Sequence, residues 1–216
     1  VRVLRGLEIA ADRRRVLDLF GRQVSPDVVD KLLSEPAGLS SEERFVCVMF
    51  ADIHGFTAFA EDRSPTEVVD YLNTLWGEAV DIVNRHGGYI NKFLGDGFMA
   101  LFGAPLSAGQ ECQRAVQASL ELQAAVARLV AEGRIRPTTL GIGLHAGEAV
   151  TGNIGSPKRL EYAAIGDVVN LASRIEGLTR TYDTPVLVSE EVYRGLDGLA
   201  LEAEAIEQVD VRGRAV

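Results

Sequence analysis

The sequence predicts an α+β fold, an α/β sandwich built on a ferredoxin-like βαββαβ core with extra strands near its C-terminal end. The first observation behind this prediction is the order of patterns from residue 44 onward, which runs strand, helix, hairpin, helix, strand. The second is a composition of 47% hydrophobic and 25% charged residues over 216 positions, which fits one globular domain and a short appendage. We therefore divide the chain into an N-terminal element, residues 1–40, and one domain, residues 41–216.

The N-terminal element is predicted to be a helical connector. Apolar residues between positions 4 and 20 recur at roughly helical spacing. A second short helix is predicted to start at the N-cap Ser25, with Pro26 in its first helical position, and residues 35–38 form a linker. A loosely packed arm is the alternative. Since the chain opens with Val1 rather than methionine, we expect it to be part of a longer protein that continues upstream.

The first half of the domain has clear signals for where its elements begin and end. Ser64 and Glu67 form a capping box that opens a helix. A glycine pair at residues 87–88 ends this helix, and Gly-Asp-Gly at residues 95–97 is a hairpin turn. These signals predict a strand at Arg44–Phe50, a helix to about Arg85, and a hairpin of Tyr89–Leu94 with Phe98–Phe102.

The second half of the domain continues the alternation of helices and strands. Gly147-Glu148 is interpreted as a turn that separates two strands. The pattern predicts helices from about Gln110 to Glu132 and from Asp167 to about Arg180, and strands at Thr139–His145, Ala149–Asn153, Tyr162–Ile165, Pro185–Val188 and Leu201–Val211.

Composition excludes several classes of function. The net charge is −9, with 31 acidic and 22 basic residues, so the chain lacks the basic surface that nucleic-acid binding requires. No apolar run is long enough to span a membrane, so we expect no membrane contact by this chain, although a longer protein could be anchored. Cys47 and Cys112 have no metal-ligand spacing and are predicted to be reduced core residues of a cytoplasmic protein.

Asp52 and Asp96 are the strongest candidates for a functional site. Asp52 follows the apolar run of the first strand, and Asp96 lies at the hairpin tip, so the two carboxylates can meet if their strands are neighbours. Such oxygen ligands suit Mg²⁺ or Mn²⁺. A helix cap and a turn residue are the structural alternatives. The adjacent Gly55, Phe56 and Thr57, whose backbone N–H groups can cradle phosphate, favour metal-assisted chemistry on a phosphate.

Three segments together resemble one known family. They read FADIHGFT at residues 50–57, KFLGDG at residues 92–97 and GDVVNLASR at residues 166–174. In this order they closely resemble the catalytic domain of bacterial class III nucleotide cyclases, from about residue 44 to the end of the chain. Residues 20–26, FGRQVSP, resemble the short transducer helix that precedes many members. The resemblance therefore implies the output domain of a signalling protein with an upstream sensor domain.

The resemblance implies a reaction and the residues that perform it. The ribose 3′-hydroxyl of a nucleoside triphosphate attacks the α-phosphate, giving a 3′,5′-cyclic monophosphate and pyrophosphate. Two divalent metal ions, Mg²⁺ or Mn²⁺, are implied to bind Asp52, Asp96 and the Ile53 carbonyl. Asn170 is implied to position the ribose, and Arg174, one helical turn later, to stabilise charge on the α-phosphate. An exposed polar pair is the structural alternative for these two residues.

The resemblance also assigns residues to the rest of the substrate. Gly55, Phe56 and Thr57 are implied to bind phosphate, and Arg212 falls where many members carry a basic residue for the terminal phosphates. Lys92 occupies a position where members that use ATP carry lysine and those that use GTP usually carry glutamate, because an ammonium can donate to adenine N1.

The second base-reading position is the main departure from the family pattern. It is aspartate in many members and threonine in a bacterial subgroup that this chain resembles at residues 161–167, but here it is Ala163. Alanine accepts no side-chain hydrogen bond, which weakens discrimination against GTP. The resemblance thus implies an adenylyl cyclase that converts ATP to cyclic AMP, with guanylyl or mixed specificity as the alternative.

A homodimer active head to tail is the expected assembly. In the family, residues equivalent to Lys92, Asp52 and Asp96 meet those equivalent to Asn170 and Arg174 across a dimer interface, and this chain carries both sets. A catalytically silent nucleotide-binding module and a polymerase-like enzyme are the other classes. The complete metal and ribose positions argue against the first, and the acidic composition against the second.

The three histidines are not assigned to the site. His54 is interpreted as an exposed turn residue, His86 as part of a helix-ending turn and His145 as the end of a strand. None has partners at the spacing of a metal site, and we see no arrangement typical of nucleophilic catalysis.

Overall fold

The computed structural model describes residues 41–156, 159–196, 198 and 203–206. The predicted connector helices, the linker and Arg212 lie outside these residues, as does most of the predicted strand Leu201–Val211. Residues 203–206 have no regular secondary structure, so the strand prediction is wrong there. The described elements are β1 (Glu42–Ile53), α1 (Phe56–Glu61), α2 (Pro65–Arg85), β2 (Gly88–Phe93), β3 (Gly97–Phe102), α3 (Glu111–Ala131), β4 (Leu140–Ser156), β5 (Arg159–Ile165), α4 (Asp167–Thr181), β6 (Val186–Val188) and α5 (Glu190–Arg194).

One sheet organises these elements. Its strands follow the order β2-β3-β1-β4-β5, and β6 adds to β4. All neighbours are antiparallel except β4 and β6, which are parallel. The connectivity through β4 is βαββαβ, which confirms the predicted fold. None of the helices in the described ranges is long and apolar enough to cross a membrane.

The sheet is covered on both faces. Alternation along β1 sends Cys47 and Met49 into a core with α2 and α3, and Val46 and Val48 into a second core with α4. Cys47 and Cys112 are both buried in the first core, as the sequence predicts. The Cys112 thiol beside it and burial raise the pKa of Cys47.

The predicted turn at Gly147-Glu148 is wrong. These residues lie inside β4, a single strand of 17 residues. Gly147 pairs with Val46 and Glu148 with Phe45, in a register that continues without a break from Glu42 to Ile53 of β1. Pairing along a long neighbour therefore overrides a local glycine signal, and one strand replaces the two predicted.

Most other boundaries lie within a few residues of the prediction. The capping box of α2 is present, since Ser64 Oγ accepts from the Glu67 N–H at 3.3 Å and Glu67 Oε2 accepts from the Ser64 N–H at 3.0 Å. The sequence did not predict α1 or α5, and β1 runs three residues beyond Phe50. Asp52 therefore lies within the strand rather than after it.

Helix α4 approaches β4 very closely over Gly143. A Cβ added at Gly143 would lie 2.1 Å from the backbone nitrogen of Glu176. We expect Gly143→Ala to lower the free energy of unfolding by about 2 kcal/mol, the cost of overpacking a rigid contact, as measured by urea denaturation. The matched control is Gly177→Ala on α4, where a Cβ meets nothing within 4 Å. That variant should be more stable by about 0.5 kcal/mol, and equal stability of both variants would contradict the close contact.

Candidate functional site

Asp52 lies between two glycines on the face of the sheet that α4 covers. Its partners across the sheet are Gly97 of β3 and Gly141 of β4. A Cβ at Gly97 would stand 3.0 Å from Oδ1 of Asp52 and only 2.6 Å from the Ala51 carbonyl oxygen. A side chain at Gly97 would close the space beside this carboxylate, whereas the space over Gly141 is filled by His54 and Thr179.

Asp96 lies beside the end of β1, as the sequence predicts. The Leu94 N–H donates to the Gly97 carbonyl at 2.8 Å and closes the turn, while the Ile53 N–H donates to the Asp96 carbonyl at 3.1 Å. Burial and the negative charge of Asp96 raise the pKa of Asp52, which Arg180 opposes. The two carboxylates are therefore close enough to repel each other, and a bound cation would relieve that repulsion.

Two residues of α4 that the sequence analysis missed belong to this group. The Arg180 guanidinium donates to Oδ2 of Asp52 in an ion pair. Burial raises the pKa of Glu176 to about 7, with further increases from Asp52 and Asp96, although Arg180 acts in the opposite direction. The site thus contains three neighbouring carboxyl groups and one guanidinium.

His54 ties the end of β1 to α4. It lies in a turn, as predicted, but it is partly buried rather than exposed. Its Nε2 lies 3.0 Å from Oγ1 of the buried Thr179. Burial, followed by the positive charge of Arg180, lowers the pKa of His54. The neutral ring therefore predominates at neutral pH and can accept from, or donate to, the threonine hydroxyl.

The other half of α4 faces a separate cavity of about 360 Å³. Asn170 and Arg174 line it together with His145, Glu148 and Glu191, and its lining includes neither Asp52 nor Asp96. Nδ1 of the buried His145 lies 2.8 Å from Ser189 Oγ and 3.5 Å from Glu191 Oε2. Within one chain, Asn170 and Arg174 therefore lie in a different place from the predicted metal residues.

The predicted base-reading residues lie on β2 and β5. Lys92 is exposed and pairs with Met99, and Ala163 pairs with Gly152. These strands are at opposite edges of the strand order, yet Nδ2 of Asn91 donates to the Tyr162 carbonyl at 2.6 Å. The immediate neighbours of Lys92 and Ala163 therefore touch within one chain.

The predicted phosphate-binding segment forms the start of α1. Gly55 has φ +70°, a conformation that favours glycine, and Phe56 and Thr57 are the first residues of the helix. The helix is held in place by Phe59, whose ring lies 4.2 Å from the guanidinium carbon of Arg136. This segment follows directly after the Asp52 strand, next to the paired carboxylates.

The chemistry of the donor set fits a divalent ion that retains water or phosphate ligands. The described residues contain no group of three or more His, Cys, Asp or Glu side chains arranged to hold a metal ion. Mg²⁺ usually binds one or two carboxylates together with substrate phosphates rather than an all-protein cage. Asp52 and Asp96, with room left by Gly97, match that requirement.

Comparison with known proteins decides the family. The model of the adenylate and guanylate cyclase catalytic domain matches residues 40–216. The chain belongs to this family. The segments around Asp52, Asp96 and Asn170 are therefore parts of a class III cyclase domain, and the family resemblance is confirmed.

Other cyclase domains and relatives agree with this assignment. The chain is 40% identical over 195 residues to the uncharacterized protein Rv1320c of Mycobacterium tuberculosis, covering 90% of this chain and 33% of the relative. The crystal structure of the guanylyl cyclase Cya2 matches with TM-score 0.72 and 35% identity, covering 81% of this chain and 88% of that one. That of the adenylyl cyclase CyaB from P. aeruginosa matches with TM-score 0.68 and 30% identity, covering 74% and 84%. This cyclase domain thus spans about a third of the curated relative's length.

Proposed function

We propose that this cyclase domain is an adenylyl cyclase, which converts ATP to 3′,5′-cyclic AMP and pyrophosphate. The observation that carries the proposal is the pair of carboxylates, Asp52 and Asp96, held side by side at the end of β1 and next to the start of α1. The two aspartates would hold metal ions, and the backbone that follows Asp52 would receive phosphates. This arrangement suits chemistry at the α-phosphate of a nucleotide.

Asp52, Asp96 and the Ile53 carbonyl would hold two divalent ions, Mg²⁺ or Mn²⁺. When bound, such ions lower the pKa of a coordinated hydroxyl and neutralise charge on phosphate oxygens. Asp52 is half-buried and repelled by Asp96, so its carboxylate gains more from a cation than an exposed one would. The protein holds both carboxylates in place before substrate arrives, which lowers the cost of organising the site.

Gly55, Phe56 and Thr57 would receive the phosphates through their free backbone N–H groups. Arg174 would donate to the α-phosphate oxygens, where negative charge increases in the transition state. Its planar guanidinium can present two donors to one phosphate. Asn170, one turn earlier, would hydrogen-bond the ribose and hold the 3′-hydroxyl in line with the α-phosphate.

A complete site would require a second copy of the chain. Asn170 and Arg174 line a cavity that contains neither Asp52 nor Asp96. Both residues are exposed on α4 and could reach the nucleotide of a partner. We therefore propose a head-to-tail homodimer with two equivalent sites, each of which combines residues from both subunits.

Lys92 favours adenine in the proposed site. We place Lys92 and Ala163 in the base pocket of the same subunit, since Asn91 bonds to the Tyr162 carbonyl. In the proposed dimer, this pocket and the Asn170 and Arg174 of the same chain would contribute to one site, while the metal carboxylates of that chain would contribute to the other. The family resemblance groups Lys92 with Asp52 and Asp96, and this proposal changes that grouping. Ala163 offers no acceptor for the adenine amine.

We expect Lys92→Glu to shift the ratio of kcat/KM for ATP over GTP toward GTP by about a hundredfold, since a carboxylate accepts from guanine N1–H. Ala163→Asp should shift it about tenfold toward ATP, because it adds an acceptor for the adenine amine. Lys92→Met serves as the control, since it removes the donor without adding an acceptor. It should lower activity with ATP and leave activity with GTP low.

The proposal is tested by supplying ATP and GTP in competition, with Mg²⁺ or Mn²⁺, and identifying the cyclic product by mass. Cyclic AMP as the main product is the expected result. Cyclic GMP in excess would favour the alternative of guanylyl or mixed specificity, which Ala163 and the likeness to Cya2 both support. Nucleotide binding without pyrophosphate release would instead identify a silent regulatory module.

The larger setting of this domain is also a proposal. We propose that it is the cytoplasmic output domain of a longer signalling protein, with a sensor upstream of residues 1–40. The support is the 33% coverage of its relative, which leaves two thirds of that protein outside the match. Cyclase activity of the whole protein that changes with removal of the upstream part would support this arrangement.

A further inference from the structure

Arg180 makes a contact that the proposed reaction does not explain. It lies in the last turn of α4, and its guanidinium pairs with Oδ2 of Asp52. The Arg180 side chain is 50% exposed and that of Asp52 is 22% exposed, so the cation can leave without disturbing the core. The guanidinium occupies one face of a carboxylate that we propose to bind metal.

Glu176 offers Arg180 a second position. It lies four residues earlier on α4, and Glu followed by Arg at this spacing is a favourable helical ion pair. Oε1 of Glu176 is buried and has no hydrogen-bond partner among the described residues. The charges of Asp52, Asp96 and Arg180 all act on the Glu176 carboxyl, so the four groups share one small region.

We propose that Arg180 acts as a resident cation: it holds Asp52 while no metal is bound and passes to Glu176 when a divalent ion takes its place. The inference rests on the proposed metal site at Asp52 and Asp96. A divalent ion beside Asp52 repels the guanidinium, and Glu176 is the neighbouring carboxylate with an unused oxygen. The exchange leaves Asp52 paired with a cation both before and after metal binding, and it gives Glu176 a partner only after metal has bound.

Two consequences follow from this exchange. Metal affinity is lower than two carboxylates alone would give, because the ion that binds Asp52 first must displace Arg180. Glu176 contributes to metal binding without being a ligand, since it stabilises the displaced guanidinium. Arg180 and Glu176 are thus positioning residues that act on the metal through Asp52.

The test is titration of the purified protein with Mn²⁺ in the absence of nucleotide, followed by electron paramagnetic resonance of free Mn²⁺. We expect Arg180→Gln to bind Mn²⁺ about three- to tenfold more tightly than wild type, because the competing cation is gone. Arg180→Lys keeps the charge and should stay within about twofold. Arg194→Gln is the charge-matched control, since Arg194 pairs with Glu190 on α5, and it should leave the affinity unchanged.

The transfer to Glu176 is tested by a double-mutant cycle. Glu176→Gln should weaken Mn²⁺ binding in the wild-type background and have a smaller effect when Arg180 is already glutamine. Equal effects in both backgrounds would overturn the transfer. Unchanged or weaker Mn²⁺ binding by a folded Arg180→Gln protein, checked by circular dichroism, would overturn the resident-cation role.

Failure of the metal site itself gives a different result. If wild type and Asp52→Asn bind Mn²⁺ equally, Asp52 is not a ligand, and both the metal site and the exchange are overturned. If Asp52→Asn loses binding but Arg180→Gln does not gain it, only the exchange is overturned. The readout needs no turnover, so the two failures are distinguishable.

Discussion

Asp52→Asn and Asp96→Asn should each lower kcat by about a thousandfold or more, with the fold intact. Asparagine keeps the shape of the side chain but removes the charge proposed to bind metal, so the transition-state stabilisation that the ions would supply should be lost. Burial and the charge of Asp96 raise the pKa of Asp52, so its ionised form is unfavourable in the metal-free fold. The melting temperature of Asp52→Asn without metal should therefore not fall.

The measurement is cyclic nucleotide production together with thermal unfolding in the presence of a chelator. Asp81→Asn is the matched control, because Asp81 lies exposed on α2. It should keep both activity and melting temperature. Loss of activity accompanied by a large drop in the melting temperature of Asp52→Asn would indicate a structural role instead.

Mixing two inactive variants should restore activity if the site is shared between subunits. Asp52→Ala removes the metal half of the site, and Arg174→Ala removes the phosphate half. A heterodimer of the two has one site with both defects and one site with neither. Random exchange makes half of the dimers heterodimers with one intact site of two, so about a quarter of wild-type activity should return.

The control mixes two variants of the same half, Asp52→Ala with Asp96→Ala. Every site then carries one metal defect, so activity should stay at the level of the single variants. Recovery in this mixture, or none in the first, would contradict the shared site. Activity of the first mixture should also fall on dilution, since it requires association.

The elements with local signals could be predicted from the sequence. The capping box at Ser64 and the Gly-Asp-Gly turn at residues 95–97 specify their own conformations, and both occur where the patterns place them. The turn predicted at Gly147-Glu148 is wrong because these residues pair with β1, which is distant in the sequence. Whether a glycine turns the chain or continues a strand depends on its neighbour in the sheet.

The candidate site was predictable only in part for a similar reason. Asp52 and Asp96 carry motif signals, and the structure brings them together. Arg180 and Glu176 do not, because their place depends on how α4 crosses the sheet. The sequence does contain one signal for the position of α4. Gly141 and Gly143 lie two residues apart on the same face of β4, which is typical of a strand that another backbone approaches closely.

The close fit of α4 against Gly143 has a consequence for how the two sites of the proposed dimer depend on each other. One face of the helix carries Arg180 toward the aspartates of its own chain, and another carries Arg174 toward the cavity. A single inserted residue between these faces would rotate one against the other by about 100°. Both constraints could then no longer be met at once. The helix therefore fixes the orientation of Arg180 relative to Arg174, and such an insertion would disturb both sites of the proposed dimer.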